Sequence, residues 1–522
     1  MMSNKIHGCI GIDVGTSGIR LLLLNIEGNT IKKKMVTFEH LRTSNYYIWD
    51  EHRRIHLAPL LKTLNQMLLD LAHEVTNVQV QSLSISSIGP SLVLLSENGE
   101  PISPAYTYAY KGAHSFIKKL DSNFQIRTGS MFSGALPYVQ LLKLVEEDNF
   151  KDCFKITTLN DYITWYLTDI PVSALFSTLP NASYTGLYSM KNDDWDWPLL
   201  KNLGLQKTIL PKIIPLGSIF PLRKELTKHP FFVNTQVAAG TIDGIDAFWA
   251  TGSRKENVIV GSVSTTGALR RWRNTRKKIF NSRLIQCVKI DKNSWVELIP
   301  FNNVGTSFNW LAHNFKQNFV NYLTETQHLN IEKLEKESII IFSLNNEEIS
   351  SYLLELPLFF PYIEGEPRGP QGRGNIQGGF IIEESKLLRS IDLYITLILG
   401  ISFMFRHNFD VLFSQKDFTE IRLTGLIARK SALFLTILAT LTNLNVVIMK
   451  KEQSVAWATA MRSLTYIKEI KEVPNLETFD PVVPRKGEIR DVLEILYTRY
   501  LKVYENPAIF DMVTSDTELL EL

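Results

Sequence analysis

The stretch Gly8-Cys9-Ile10-Gly11-Ile12-Asp13-Val14-Gly15-Thr16-Ser17-Gly18-Ile19 decides the fold, and it stands close to the start of a 522-residue chain. Gly8 to Asp13 is a short β-prone run. It ends on Val14-Gly15-Thr16-Ser17-Gly18, and a second β-prone run, Ile19 to Ile26, follows before Glu27-Gly28-Asn29. Two such runs joined by a turn of Gly, Thr and Ser predict a β-hairpin. A tight Gly-containing turn exposes consecutive backbone N–H groups, which bind phosphate oxygens. Thr16 and Ser17 add hydroxyl donors. Asp13 adds a carboxylate for Mg2+, an ion that keeps several waters and takes few protein ligands. An ordinary hairpin with an Asp-capped turn reads the same way, so the motif alone leaves both readings open.

Outward from this turn, Leu57 to His73 carries apolar residues at helical spacing (Leu60, Leu61, Leu64, Met67, Leu68, Leu71). Val78 to Ser87 returns to strand character, and Ser91 to Ser96 with Glu97-Asn98-Gly99 reads as another hairpin. Strands alternating with helices predict α/β layers. The opening pattern then recurs. Val258 to Ser262 is β-prone and meets Val263-Ser264-Thr265-Thr266-Gly267, with Thr265 lying 249 residues after Thr16. A repeat near the start of each half predicts two domains of related design, 6–250 and 255–506. They are divided at the polar break Ser253-Arg254-Lys255-Glu256 and followed by a peripheral acidic tail, 507–522.

Composition excludes several classes. Apolar residues are 45% and charged residues 21%, ordinary for a globular chain. Lys and Arg number 56 against 53 Asp and Glu, a balance of +3 that gives little whole-molecule attraction to nucleic acid. Cys9, Cys153 and Cys287 are too dispersed for a metal site or a disulfide framework and read as reduced thiols of a cytoplasmic protein. Met1 to His7 is polar, without the apolar core of a signal peptide. The apolar run Ile391 to Phe405 is 15 residues long, short of a membrane span, and Ala432 to Met449 reads as a buried helix and then a strand.

A further motif is Gly240-Thr241-Ile242-Asp243-Gly244-Ile245-Asp246 before Ala247-Phe248-Trp249. It reads as a helix start with Asp243 in or near the first turn, where the helix dipole favours a carboxylate. Asp243 is then either a cap or a general base taking a proton from an attacking hydroxyl. Asp246 competes for the second role. Phosphoryl transfer asks the protein for little beyond positioning and charge neutralisation.

Taken in order, these motifs resemble the FGGY carbohydrate kinases over nearly the whole chain. Gly11 to Ser17 resembles the family's first phosphate motif and Ser262 to Gly267 its second. Gly240 to Ala247 resembles the segment that carries its catalytic Asp, which points to Asp243. Phe360-Pro361-Tyr362-Ile363-Glu364-Gly365-Glu366 and Arg373-Gly374 are similar to a later family stretch. The resemblance implies an α/β chain of two domains with the actin-like ATPase (ribonuclease H-like) fold and a catalytic cleft between them. It also implies ATP and Mg2+ as cofactors and transfer of the γ-phosphate to a hydroxyl of a sugar or sugar acid. It assigns Asp243 as base, Asp13 to Mg2+ through water, and Gly15, Thr16, Ser17, Thr265, Thr266, Gly267, Gly305 and Gly425 to the nucleotide. Within the family, Thr265 to Arg270, Asn302-Asn303-Val304-Gly305 with Trp310-Leu311, and Ala182 to Leu187 with Asp194-Trp195-Asp196 are similar to gluconate kinases. Gluconate is therefore the first expected substrate and a xylulokinase-like activity the alternative. Many kinases of this type form homodimers, but the sequence shows no interface.

The departures define the expected substrate side. Where gluconate kinases carry Met-His, this chain has Gly89-Pro90, framed by Ser87 and Ser91. Where they carry Tyr-Ala-Asp-x-Arg, it has Tyr108-Ala109-Tyr110-Lys111-Gly112. A His, an Asp and an Arg suited to sugar hydroxyls are thus missing, and a site built on hydrogen bonds discriminates strongly by them. Ser87, Gly89, Tyr108, Tyr110 and Asp243 are the candidate substrate residues, with the two tyrosines either stacking on a ring or simply packing. The family's glycine run near adenosine is reduced to Gly425 in Thr424 to Ser431, and Ala458 stands where Gly is common. A second reading, a kinase-like binding protein that has lost catalysis, rests on these changes, and the retention of Asp13, Thr16, Asp243 and Thr265 argues against it. Arg270 to Lys278 reads as a solvated strand edge and turn, and Trp195 and Trp197 as packing residues.

Overall fold

The computed structural model describes residues 5–43, 47–264, 266–276, 280, 282–314, 330–363, 378–381, 388–413, 418–452 and 454–506. Thr265, the stretch from Glu364 to Gly374 and the tail 507–522 lie outside them. The chain separates into two compact units. The first comprises Met1–Glu256, Trp272–Glu297 and Lys451–Leu476; the second comprises Asn257–Arg271, Leu298–Lys450 and Glu477–Leu522.

The first unit is built on strands β1 (Ile6–Val14), β2 (Gly18–Asn25), β3 (Thr30–Thr37), β4 (Val78–Ser87), β5 (Ile219–Pro221) and β6 (Gln236–Ile242), in the sheet order β5-β6-β4-β1-β2-β3. β1 and β2 form the expected antiparallel hairpin, while β1, β4 and β6 run parallel. From Gly8 to Val14, β1 is buried on both faces, as a parallel strand covered by helices requires. Helix α1 (Leu57–Glu74) buries Leu57, Leu60, Leu61, Leu64, Met67, Leu68 and Leu71 on the sheet. Edge strand β3 carries Lys32 and Lys34, which pair with Glu74 of α1 and discourage pairing with another chain. Helix α2 (Leu159–Tyr166) packs on β4 and β6, and α3 (Asp243–Ala250) leaves the end of β6. Helix α4 (Ser454–Tyr466), although distant in sequence, belongs to this unit. It lies so close to β1 that a Cβ on Gly11 would stand 1.8 Å from the Ala456 carbonyl oxygen, and the Ser463 and Ser82 hydroxyls bond at 2.6 Å.

The second unit repeats the hairpin with β7 (Val258–Val263) and β8 (Gly267–Arg273). β7 pairs parallel with β9 (Glu420–Thr424), and β9 with β10 (Asn445–Ile448). Helix Ala432–Thr442 precedes β10, as the sequence predicted.

Two expectations need correction. The run at Ile391 is part of a 23-residue helix, Ser390–Leu412, long and apolar enough to cross a membrane by length and composition. The helix continues past the apolar run because Arg406 pairs with Asp410 and Glu494, giving its last turns a polar partner. Its apolar window is 72% buried inside the unit, against helices Ile331–Phe342, Ala432–Thr442 and Glu488–Tyr504, which makes it a core helix. The basic stretch from Arg270 is likewise no solvated edge. Arg270 and Trp272 are buried, and Arg270 donates to the Ser262 hydroxyl. Arg273 pairs with the fully buried Glu297, and Arg276 donates to the Ile126 and Met190 carbonyls. Each of these cations has an internal acceptor, while Lys277 and Lys278 lie outside the described residues. Trp195 and Trp197 do pack: the first is 4% exposed and donates to the Pro211 carbonyl, and the second lies under Lys207.

Candidate functional site

In the first unit, three parallel neighbours end side by side. Asp13 of β1 stands opposite Ser86 of β4, which stands opposite Thr241 of β6; one residue on, Val14, Ser87 and Ile242 form the next row. Ligands of open α/β sheets bind beyond such carboxyl ends. The β1–β2 turn, Gly89 and Asp243 all follow immediately.

The turn is held from several sides. The Gly15 N–H donates to the Gly18 carbonyl at 3.0 Å, and the Trp49 indole donates to the Thr16 carbonyl at 3.1 Å. Arg20 faces Asp13 across the hairpin and donates to the Asp13 carboxylate and the Ser17 hydroxyl, both at 3.0 Å. Thr16 is half-buried and Ser17 exposed, so their hydroxyls are available to a ligand, while Asp13 is buried. Burial pushes the Asp13 carboxyl above its ordinary value, and the Arg20 charge opposes that shift. Neither Arg20 nor Trp49 was singled out from the sequence. Counting outward from a hairpin turn pairs residue 13 with residue 20, so Arg20 was within reach; Trp49 had no signal.

Ser87 is fully buried and donates to the Ile88 carbonyl at 3.3 Å. Gly89 follows on a cis bond to Pro90, and a Cβ at Gly89 would stand 2.3 Å from Cγ2 of Ile242, the residue before Asp243. Ser87, Gly89 and Asp243 are therefore brought together. Tyr108 and Tyr110 follow the short strand Tyr106–Thr107 and are half-buried; Tyr108 packs on the main core, and Tyr110 meets Tyr106 edge-on at 5.0 Å. Burial raises the Tyr110 phenol above its ordinary value.

The two carboxylates of α3 have different surroundings. Asp243 is its first residue, half-buried, and accepts from the Gly244 N–H at 2.6 Å. Asp246 is fully buried, pairs with Arg462 of α4 at 2.7 Å and accepts from the Thr459 hydroxyl at 3.0 Å. Burial, more than the nearby Asp13 charge, lifts Asp246 to about 6 against the pull of Arg462.

In the second unit, the β7–β8 turn gathers the predicted nucleotide residues described there. The Ser264 N–H donates to the Thr266 carbonyl at 3.0 Å, and the Gly305 N–H donates to the Ser264 carbonyl at 2.9 Å. Gly425, at φ +109°, lies against the same turn, where a Cβ would stand 2.2 Å from the Val263 carbonyl oxygen. A Cβ at Gly267 would stand 2.0 Å from the Phe301 ring. Thr266, Gly267, Gly305 and Gly425 are thus neighbours. Leu426, next to Gly425, is 59% exposed. Ala458, read with them from the sequence, lies buried in α4 of the first unit.

A hydroxyl-bearing glycine turn beside a half-buried carboxylate, at the ends of parallel strands, is an arrangement for holding phosphate near an attacking alcohol. Residues 9–248 match the family model described as the FGGY family of carbohydrate kinases, N-terminal domain. That segment matches the N-terminal domain of a family whose members are phosphotransferases with an alcohol group as acceptor. It is 23% identical over 470 residues to a xylulose kinase of Staphylococcus xylosus, covering 87% of this chain and 89% of the relative. It is 21% identical over 388 residues to a gluconokinase of Bacillus subtilis (strain 168), covering 71% and 70%. The solved structures of a ligand-bound xylulose kinase and a gluconate kinase, both from Lactobacillus acidophilus, align with TM-scores of 0.81 and 0.82 at 21% identity. Each covers 95% of this chain, with 98% and 97% of the two neighbours aligned. At that identity they establish the fold, a two-domain actin-like (ribonuclease H-like) α/β architecture.

Proposed function

We propose that the chain transfers the γ-phosphoryl group of ATP to a hydroxyl of a sugar or sugar acid, with a gluconate-like acid as first substrate. The observation that carries this reading is the convergence of the Asp13–Ser17 turn, Ser87–Gly89 and Asp243 at the carboxyl ends of β1, β4 and β6. Asp243 is the base: it takes the proton of the attacking hydroxyl, while Asp246 is occupied by Arg462. Thr16, Ser17 and the turn N–H groups of the first unit bind phosphate oxygens. In the second unit, Thr266, Gly267, Gly305 and Gly425, together with Thr265 outside the described residues, are read as nucleotide-binding. Among the described residues no group of three or more His, Cys, Asp or Glu gathers, so the donor set suits Mg2+ held mainly by water and phosphate, with Asp13 as its protein carboxylate. Mg2+ supplies charge neutralisation on the phosphates.

On the sugar side, Gly89 offers backbone alone, because its Cβ direction is filled by Ile242. Tyr108, Tyr110 and the exposed Lys111 supply what polar recognition that segment has, and Lys111 suits a carboxylate. A xylulose-like ketose is the second reading, favoured by the broader match to a xylulose kinase.

ADP formation measured with ATP and Mg2+ against gluconate, pentuloses, hexuloses and polyols tests the proposal. One substrate is expected to stimulate turnover, and Asp243→Asn is expected to lower it by about 10²–10⁴-fold, the usual worth of a positioned acid or base. No stimulation by any of them, with ADP binding intact, would instead establish the catalytically impaired binding protein within that panel.

A further inference from the structure

We propose that Asn160 and Thr178 are positioning residues for Asp243: their side chains hold an irregularity in β6 that sets how the strand delivers Asp243 to α3. As far as it concerns turnover, this rests on the kinase reading above. β6 pairs regularly with β4 from Gln236↔Ser82 to Ala238↔Ser84, and pairing resumes at Thr241↔Ser86 and Ile242↔Ser87. β6 therefore sets two residues, Ala239 and Gly240, against one of β4, Ile85. One extra residue reverses the alternation of every side chain beyond it, and such bulges re-aim side chains beside active sites. Gly240 permits the close approach, because a Cβ there would stand 1.8 Å from the Ile85 carbonyl oxygen.

The irregularity removes Ile85, Ala239 and Gly240 from the register. Carbonyls in a dry interior need donors. Asn160, in the first turn of α2, donates its amide to the Ile85 carbonyl at 3.0 Å and the Thr241 carbonyl at 2.8 Å, spanning the two strands. The Thr178 hydroxyl donates to the Gly240 carbonyl at 3.1 Å. Asn160 is 1% exposed and Thr178 is fully buried. The clamp is itself held. Asn181 donates to Asn160 Oδ1 at 3.2 Å and to Asp161 Oδ1 at 2.7 Å, and it accepts from the Thr241 hydroxyl at 3.1 Å. Asp161 accepts from the hydroxyls of Thr158 and Ser177 and from the Thr178 N–H. A merely stabilising network could act anywhere in the core. This one ends on carbonyls two and three residues before Asp243.

Thr178→Val removes the hydroxyl at nearly constant shape, and Thr178→Ser restores it. Two measurements are compared with the wild-type chain: hydrogen exchange of the backbone across 236–249, and kcat and KM for ATP and the stimulating sugar. The valine variant is expected to exchange faster around 238–243 and to lose about 10–100-fold in kcat, the scale of a misplaced catalytic group, with both KM values within about twofold. The serine variant is expected to recover both properties. Wild-type kcat in the valine variant, equal losses in both variants, or unchanged exchange would each overturn the clamp. A wild-type chain that turns over no substrate defeats the kinase reading instead, and the exchange comparison still decides whether Thr178 holds the bulge.

Discussion

Arg462→Met probes the buried charge pair behind the candidate base. Arg462 and Asp246 are 1% and 0% exposed, with Nη2 and Oδ1 at 2.7 Å. Methionine replaces the aliphatic stem but not the guanidinium, which also stands over the Trp249 ring at 5.1 Å. The Asp246 carboxylate keeps the Thr459 hydroxyl but has no cation beside it. Removing one partner of a buried pair costs about 3–5 kcal/mol, a large part of the roughly 5–15 kcal/mol that holds a domain folded. The loss should depend on pH. Asp246 already titrates near 6 in the presence of Arg462, and without that charge its value rises further. A carboxyl raised in the folded state binds its proton more readily folded than unfolded. Its contribution to stability therefore falls as pH climbs from the unfolded value through the folded one. The variant's deficit is thus largest near pH 8 and shrinks near pH 5, where the carboxyl is neutral.

Urea unfolding followed by tryptophan fluorescence at the two pH values reads this directly, with Trp249 as a local reporter. The double variant Asp246→Leu/Arg462→Met should regain most of the loss or exceed the wild type, because apolar replacement of a buried pair is often neutral or stabilising. A deficit under about 1 kcal/mol at pH 8 refutes the reasoning, since a cost that small belongs to exposed pairs. So does a double variant no more stable than the single one.

Two further outcomes follow from the same geometry. Arg20→Met frees Asp13 and Ser17, so ADP affinity measured by calorimetry should fall about tenfold, the worth of one modest charge-assisted hydrogen bond; Arg20→Lys should not rescue it, because an ammonium cannot span both partners as the guanidinium fork does. Unchanged affinity in Arg20→Met would remove this turn from the phosphate site. Asp161, fully buried among neutral donors, titrates near 6, so its share of stability should fall by about 2 kcal/mol as pH rises from 4 to 6. Asp161→Asn should flatten that part of the urea-stability profile, and an identical slope in the variant would show that the group does not titrate there.

The hairpins, α1 and the helix start at Asp243 were legible because each is a local pattern: β-prone runs around a Gly turn, or apolar residues at helical spacing. Thr16, Ser17, Gly89 and Asp243 were legible for the same reason, each lying on or just after a punctuated strand end. What the sequence withheld is set by register and by long-range packing. Asn160 lies about 80 residues from the Thr241 carbonyl it bonds, and Arg462 more than 200 from Asp246, so no window of sequence contains either partnership. The burial of Arg270 was hidden for a related reason. A run of cations looks solvated until the strand that carries it is paired and its inward residues find the Ser262 hydroxyl.

The choice between Asp243 and Asp246 shows how the two kinds of information combine. Sequence puts both in one helical turn and favours neither by chemistry. Burial separates them. A general base must be able to reach a hydroxyl that arrives from outside. Asp246 lacks that reach, since its oxygens face Arg462 and Thr459 in the interior. Asp243 sits one turn earlier, half-exposed, at the strand end where Gly89 and Ile242 meet. On the proposed reading the division of labour has a physical cause: the inner carboxylate fixes α3 against α4, and that fixed helix presents the outer one.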